Sequence, residues 1–340
     1  RWAVTGRDDI AVNAACERIY RGMAARDADD AAWKELCYLW SSDFRTHITE
    51  ARWIAFCARL AEAERKWSGA AAPRIAVPAG ALVADRHIDI QTPMLSARLD
   101  RRRGLAIEHL HFGPHARAAV GGLPHGHFDD IAIQADWYTG DCVFEAPGEH
   151  KITDLEWCEA RIAQQPNGDI MAFARIETPR GPIEKTMRFH AGAARVDFDL
   201  LFDWPQWDRG RLRLGHVTLL PDAFDWNGLS LATQNGGREA EHFPLGGAEV
   251  DHGAPVSFLV SSSFGLGMTG GWAEIGDAKT RIRIEVARET APLLGLLVHR
   301  RIGGSLFCQL MLSALELDET RKPTPYCAGP RRFGFSVAAA

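Results

Sequence analysis

Between residues 8 and 67 the apolar positions recur with the period of an α-helix. Cys16, Ile19, Tyr20 and Met23, then Trp33, Leu36, Cys37 and Trp40, then Trp53, Phe56, Cys57 and Leu60 each fall at i, i+3, i+4 and i+7, so each segment presents one apolar face. Start signals agree with these periods. Asp8 and Asp9 precede the first segment, and Asp30 the second and Thr49 the third, these two each able to accept a hydrogen bond from an otherwise unpaired first-turn N–H. A three-helix bundle of about 60 residues hides only roughly 60% of the surface its unfolded chain exposes, so it is expected to lean on something larger.

The helical period stops at Ser68-Gly69-Ala70-Ala71-Ala72-Pro73, and Pro78 to Gly80 extend the break. From about residue 85 the period is near two, in His87-Ile88-Asp89-Ile90, Leu95 to Leu99, Leu105 to Leu110, Ile170 to Ile176, Val196 to Leu200 and Arg281 to Val286. Pro166-Asn167-Gly168 marks a hairpin. Successive βαβ units need crossover helices of ten or more residues, and no such pattern follows the break, so a parallel sheet is not expected. The fold class predicted is mainly β: a helical bundle over 1–70, a linker over 71–84 and a large antiparallel β-sandwich over 85–330.

Composition narrows the partners. With 46% hydrophobic and 24% charged residues in 340, the chain is that of a globular protein, and a net charge of −5 offers no attraction to a phosphate backbone. Nucleic acid is not expected as a partner, nor a membrane, since no apolar run reaches the roughly 20 residues a spanning helix needs. Seven cysteines without CxxC spacing argue against both a disulfide framework and a zinc knuckle, which points to a reducing compartment, the cytoplasm. The chain opens on Arg-Trp and reads as part of something longer.

Three places carry candidate chemistry. The first is the corner after the second helix, Trp40-Ser41-Ser42-Asp43-Phe44-Arg45-Thr46-His47, where Gly, Asn or Pro would be ordinary. Trp40 offers a flat apolar face for a sugar ring, and Ser42, Asp43, Arg45 and His47 offer hydrogen bonds to its hydroxyls. The plain alternative is that Asp43 caps the turn and Arg45 pairs with it. The second is His125-Gly126-His127-Phe128-Asp129, followed by Asp136-Trp137. On a strand, His-x-His would aim both imidazoles to one face, and His109, His111 and His115 add to the temptation of a metal. A metal needs three or four converging ligands with partners that orient them, so a loop of His125, His127, Asp129 and Trp137 against a sugar is preferred, and neither metal nor cofactor is expected. The third is Gln234-Asn235-Gly236-Gly237 with Glu239, Glu241 and His242, which reads first as a tight turn.

The order of bundle, break and large sandwich, with Trp2-Ala3-Val4-Thr5-Gly6-Arg7-Asp8-Asp9 leading into a helix and Leu39-Trp40-Ser41-Ser42-Asp43 at a helix end, resembles the region downstream of the catalytic barrel in glycoside hydrolase family 57 and its relatives. The resemblance implies a galactose mutarotase-like supersandwich, a Ser-Asp helix end lining the cleft, and an oligo- or polysaccharide substrate of the α-glucan class. It also implies that the catalytic carboxylates belong to an upstream barrel domain of the same protein, by retaining double displacement. Phe44-Arg45-Thr46-His47 departs from the family's pattern and leaves the sugar open. Two rivals stand beside it. One is a self-standing mutarotase-like epimerase using His127 or His216 with Glu241. The other is a non-catalytic carbohydrate-binding module with Trp137, Trp204 or Trp207 as platform.

Overall fold

The computed structural model describes residues 6–44, 48–68, 74–77, 79–131, 133–246, 255–257, 260–263, 265–317 and 327–340, the side chains of 255–257, 260–263 and 327 excepted. Three helices open the chain: α1 (Asp9–Ala24), α2 (Asp30–Leu39) and α3 (Glu50–Trp67). Thr49 caps α3 by accepting from the Arg52 N–H. Asp29, rather than Asp30, caps α2, accepting from the Ala32 N–H at 2.8 Å, and Asp30 becomes the first helical residue. Cys16, Ile19, Met23, Leu36, Leu39, Phe44, Phe56 and Leu60 form the bundle's core, with the rings of Phe44 and Phe56 stacked at 4.4 Å. Cys37 is exposed, contrary to its expected place on the apolar face; that face is centred on Leu36 and Leu39, and a single residue step turns Cys37 toward solvent.

The rest is antiparallel sheet. One ten-stranded sheet runs Ala81–Leu82, Ala160–Gln164, Ile170–Ile176, Ile183–Phe189, Arg195–Phe202, Arg331–Ala339, Arg281–Val286, Trp272–Gly276, Ser230–Thr233 and Glu241–Pro244. A six-stranded sheet runs Gly265–Gly267, Leu294–Ile302, Ser305–Leu315, Arg211–Thr218, Cys142–Glu145 and Ile152–Thr153. A four-stranded sheet holds His87–Gln91, Leu95–Asp100, Ala106–Phe112 and Val120–Gly121. All three contribute to one hydrophobic core. In Arg281–Val286 the alternation is clean: Ile282, Ile284 and Val286 are buried while Arg281, Arg283 and Glu285 are half-exposed. The hairpin at Asn167-Gly168 forms as read, with Gly168 at a φ of +87°. Arg331–Ala339 lies beyond the expected boundary of 330 and occupies the middle of the largest sheet, between Arg195–Phe202 and Arg281–Val286.

The bundle does lean on the sandwich. Ile10 of α1 joins the sandwich core. Arg331 pairs with Asp8 at 3.0 Å, Arg18 donates to the Glu289 carbonyl at 2.6 Å, and Arg21 meets the Glu289 carboxylate at 3.2 Å. No helix among the described residues is long and apolar enough to cross a membrane.

Candidate functional site at the junction of bundle and sandwich

Where α1 and the end of α2 meet the loops of the sandwich there is a hollow of about 310 Å3, walled by Asn13, Glu17 and Trp40 from the helices and by the segments 267–269, 288 and 292–294. That volume lies at the small end of ligand pockets, roughly 300 to 1,000 Å3. Trp40 follows the last turn of α2, and its indole N–H donates to Asn13 Oδ1 at 2.9 Å, which fixes the ring against α1. Glu17 is buried one turn along α1 from Asn13 and sits between two guanidinium groups, Arg21 Nε at 2.9 Å and Arg288 at 3.2 Å. Met268, Pro292, Leu293 and Leu294 supply the apolar part of the wall.

The sandwich side is held in an unusual backbone conformation. Met268 is buried with a φ of +69°, a region that costs a side chain of its size on the order of 1–3 kcal/mol. Asn235 stabilises that segment, accepting from the Thr269 N–H at 3.2 Å and donating to the Leu266 carbonyl at 3.0 Å, so the Gln-Asn-Gly-Gly turn serves the hollow from behind. Sequence reasoning missed Asn13, Glu17, Met268 and Arg288. Asn13 and Glu17 sit where a helix would otherwise continue its apolar face, which was the available signal; Met268 and Arg288 gave none.

Of the corner residues, Trp40 walls the hollow, whereas Ser42 and Asp43 lie on an exposed 3₁₀ turn and are not among its lining. Arg45 and His47 lie outside the described residues. His125, His127 and Asp129 are exposed, and the two histidines lie in a turn because Pro124 and Gly126, the latter at a φ of +77°, fold the chain back: the His127 N–H donates to the Pro124 carbonyl. Trp137 packs its ring 4.5 Å from Phe307 and donates its N–H to the Ile133 carbonyl. It belongs with Phe128 to a cluster separate from the one that includes Trp40, so the two sets of candidates are in different packing units. Trp204 and Trp207 are 0% exposed and pack against each other, their tilted rings 4.6 Å apart in the core, which removes them as a platform.

A second concentration of ionisable groups is internal. Lys185 and Asp154, both 0% exposed, meet at 2.5 Å, and the Lys185 ammonium also donates to the carbonyls of Gly104 and Gly140 at 2.8 Å each. Burial opposes the Lys185 charge, but Asp154 and its other acidic neighbours outweigh it and hold the ammonium protonated above its ordinary range. Beside them His216 Nδ1 lies 3.3 Å from Asp141 Oδ2. Burial works against both charges, yet mutual attraction wins, raising the His216 imidazole and lowering the Asp141 carboxyl. Glu241, the carboxylate expected beside His216, is instead exposed on Glu241–Pro244 and accepts from Asn235.

One group of three ligand-type side chains comes together among the described residues, His87, Asp100 and Glu108, with donor atoms within 4.8 Å of one another. Asp100 is already bound by the Arg86 guanidinium at 2.7 and 3.1 Å and by the Arg102 N–H at 2.8 Å, so a cation there would face a fixed positive charge. His111 donates from Nε2 to the His115 carbonyl at 2.7 Å, and burial pushes the His115 imidazole down.

No family model and no curated protein matches the chain. Among solved structures it is similar in outline to the Slr1438 protein of Synechocystis sp. PCC 6803, at 9% identity and a TM-score of 0.45 over 78% of this chain and 99% of that one. A galactose mutarotase-like protein from Clostridium acetobutylicum gives 8% identity and 0.44 over 75% and 94%. The 4-alpha-glucanotransferase of Thermococcus litoralis gives 12% identity and 0.38 over 97% of this chain and 50% of that one.

Proposed function

We propose that this chain is the sugar-contacting, cleft-shaping portion of a glycoside hydrolase or glucanotransferase-type enzyme acting on α-glucans, its bond-cleaving carboxylates supplied by an upstream catalytic barrel. The observation that carries this reading is the junction hollow, in which one fixed indole stands against a wall of Asn13, Glu17 and Arg288. A pyranose ring has an apolar face of C–H groups and an edge of hydroxyls, and this pairing of surfaces suits it. The chemistry of the wall supports placing cleavage elsewhere. Glu17 is the one carboxylate among the described lining residues and is clamped by two guanidinium groups, whereas glycosidic chemistry takes two carboxyls about 5 to 9.5 Å apart.

The binding role falls on Trp40, with Ser42 and Asp43 outside the hollow's wall. Titration with maltoheptaose, followed by calorimetry, tests it. Trp40→Ala and Arg288→Gln are expected to weaken binding by about tenfold or more, the loss of one stacking contact or one charged hydrogen bond, while circular dichroism shows the fold retained. Affinity unchanged in both variants contradicts the reading.

A further inference from the structure

We propose that the groove around Trp157 is a second ligand site and that it takes a neutral oligosaccharide. The groove encloses about 910 Å3, three times the junction hollow, between the segment 149–161 and the strand Ile170–Ile176, with Leu82 at its side. Trp157 is 56% exposed and Leu82 60%, so two of the chain's exposed large apolar side chains wall one groove.

Trp157 is a built platform. The Arg101 guanidinium lies 4.9 Å from the indole centroid, and Arg101 is itself buried, donating to the carbonyls of Ala84 at 2.6 Å, Asp85 at 3.1 Å and Cys158 at 3.2 Å. A cation anchored by three carbonyls holds one face of the indole in place and leaves the other for a ligand, so stacking there loses little side-chain entropy.

The lining's charge selects the ligand class. Four glutamates face Lys151, Arg161 and Arg175, so the groove carries no strong field of one sign to gather a polyanion or polycation. It offers instead the Glu156 and Glu159 carboxylates and the Arg161 guanidinium around one aromatic face, while Arg175 is paired with Glu177 and Glu184, and Glu149 with Arg180. Linked pyranose rings present C–H faces to the indole and vicinal hydroxyls to both kinds of charged group, whereas a purely apolar ligand would leave those groups desolvated and unpaired. The volume accommodates several rings, since it approaches the upper end of small-molecule sites at about 1,000 Å3. The inference borrows from the proposed function only the class of ligand; the site stands on its own geometry.

The test is a calorimetric titration of the whole chain with maltoheptaose, cellohexaose and xylohexaose, in the wild type and in Trp157→Ala, Trp157→Phe and Trp40→Ala. At least one glycan is expected to bind at the groove about tenfold more weakly in Trp157→Ala, with most of the affinity restored in Trp157→Phe and none of it lost in Trp40→Ala. Because Trp157 is exposed, its replacement leaves the core intact. No binding by any of the three, or equal affinity in Trp157→Ala and wild type, overturns the groove. A loss confined to Trp40→Ala overturns the groove while sparing the junction hollow, and a loss confined to Trp157→Ala does the reverse.

Discussion

Lys185 shows how far single side chains in this protein depend on their partners. Removing it leaves the Asp154 carboxylate buried without its counter-charge, so Lys185→Met is expected to cost about 3–5 kcal/mol of unfolding free energy in a denaturant titration. Adding Asp154→Leu removes the stranded charge, and the double variant should recover most of that loss; a double variant as unstable as the single one would show that the pair is not the cause. His216 and Asp141 give a pH signature. The imidazole, raised in the folded state, contributes stability that is fully present below its unfolded value of about 6.5 and is lost as pH rises through the folded value. The lowered Asp141 carboxyl contributes above its unfolded value of about 3.9 and is lost as pH falls through the folded one. Stability should therefore peak between these limits, and His216→Gln should flatten the alkaline limb of the curve. Thiol accessibility follows burial in the same way: burial pushes the Cys158 thiol up to about 11, so iodoacetamide at neutral pH should label the exposed Cys37 and leave Cys158 unmodified until the chain unfolds.

Elements with one solvated face were legible in the sequence because alternation or helical period records that face directly. Ile170–Ile176 and Arg281–Val286 have the boundaries their patterns predict, and the three helices fall where the apolar spacing puts them. What the pattern does not encode is which of several polar residues a fold turns inward. Trp40 could be selected from its helix end, but Asn13 and Glu17 face the hollow only because α1 docks on the sandwich at that rotation. Among the described residues the exposed tryptophan is Trp157, and nothing local separates it from the buried Trp204 and Trp207; only the closing of the core does. His125 and His127 fall in a turn, where the neighbouring Pro124 and Gly126 are the local signal for a loop. At this scale the Asn235 turn is testable. Asn235→Ala should speed amide exchange across 266–269 and weaken maltoheptaose binding severalfold, and exchange unchanged in that segment would show that its conformation does not need the amide.

The whole molecule is a sandwich with a helical bundle fixed to one side by a set of ion pairs: Asp8 with Arg331, Glu17 with Arg288, and Arg21 with Glu289. Isolated exposed pairs contribute little, about 0–1 kcal/mol, but here two of the carboxylates are largely buried and the pairs act together with Ile10 in the shared core. The hollow exists only while the two parts remain docked, which makes ligand binding and docking interdependent. The direct measurement of this account is hydrogen exchange of the whole chain with and without saturating maltoheptaose. It predicts slowed exchange in α1 near Asn13 and Glu17, at the end of α2, and across 267–269 and 288–294. Absence of binding, or binding that leaves all of these segments unprotected, would contradict it.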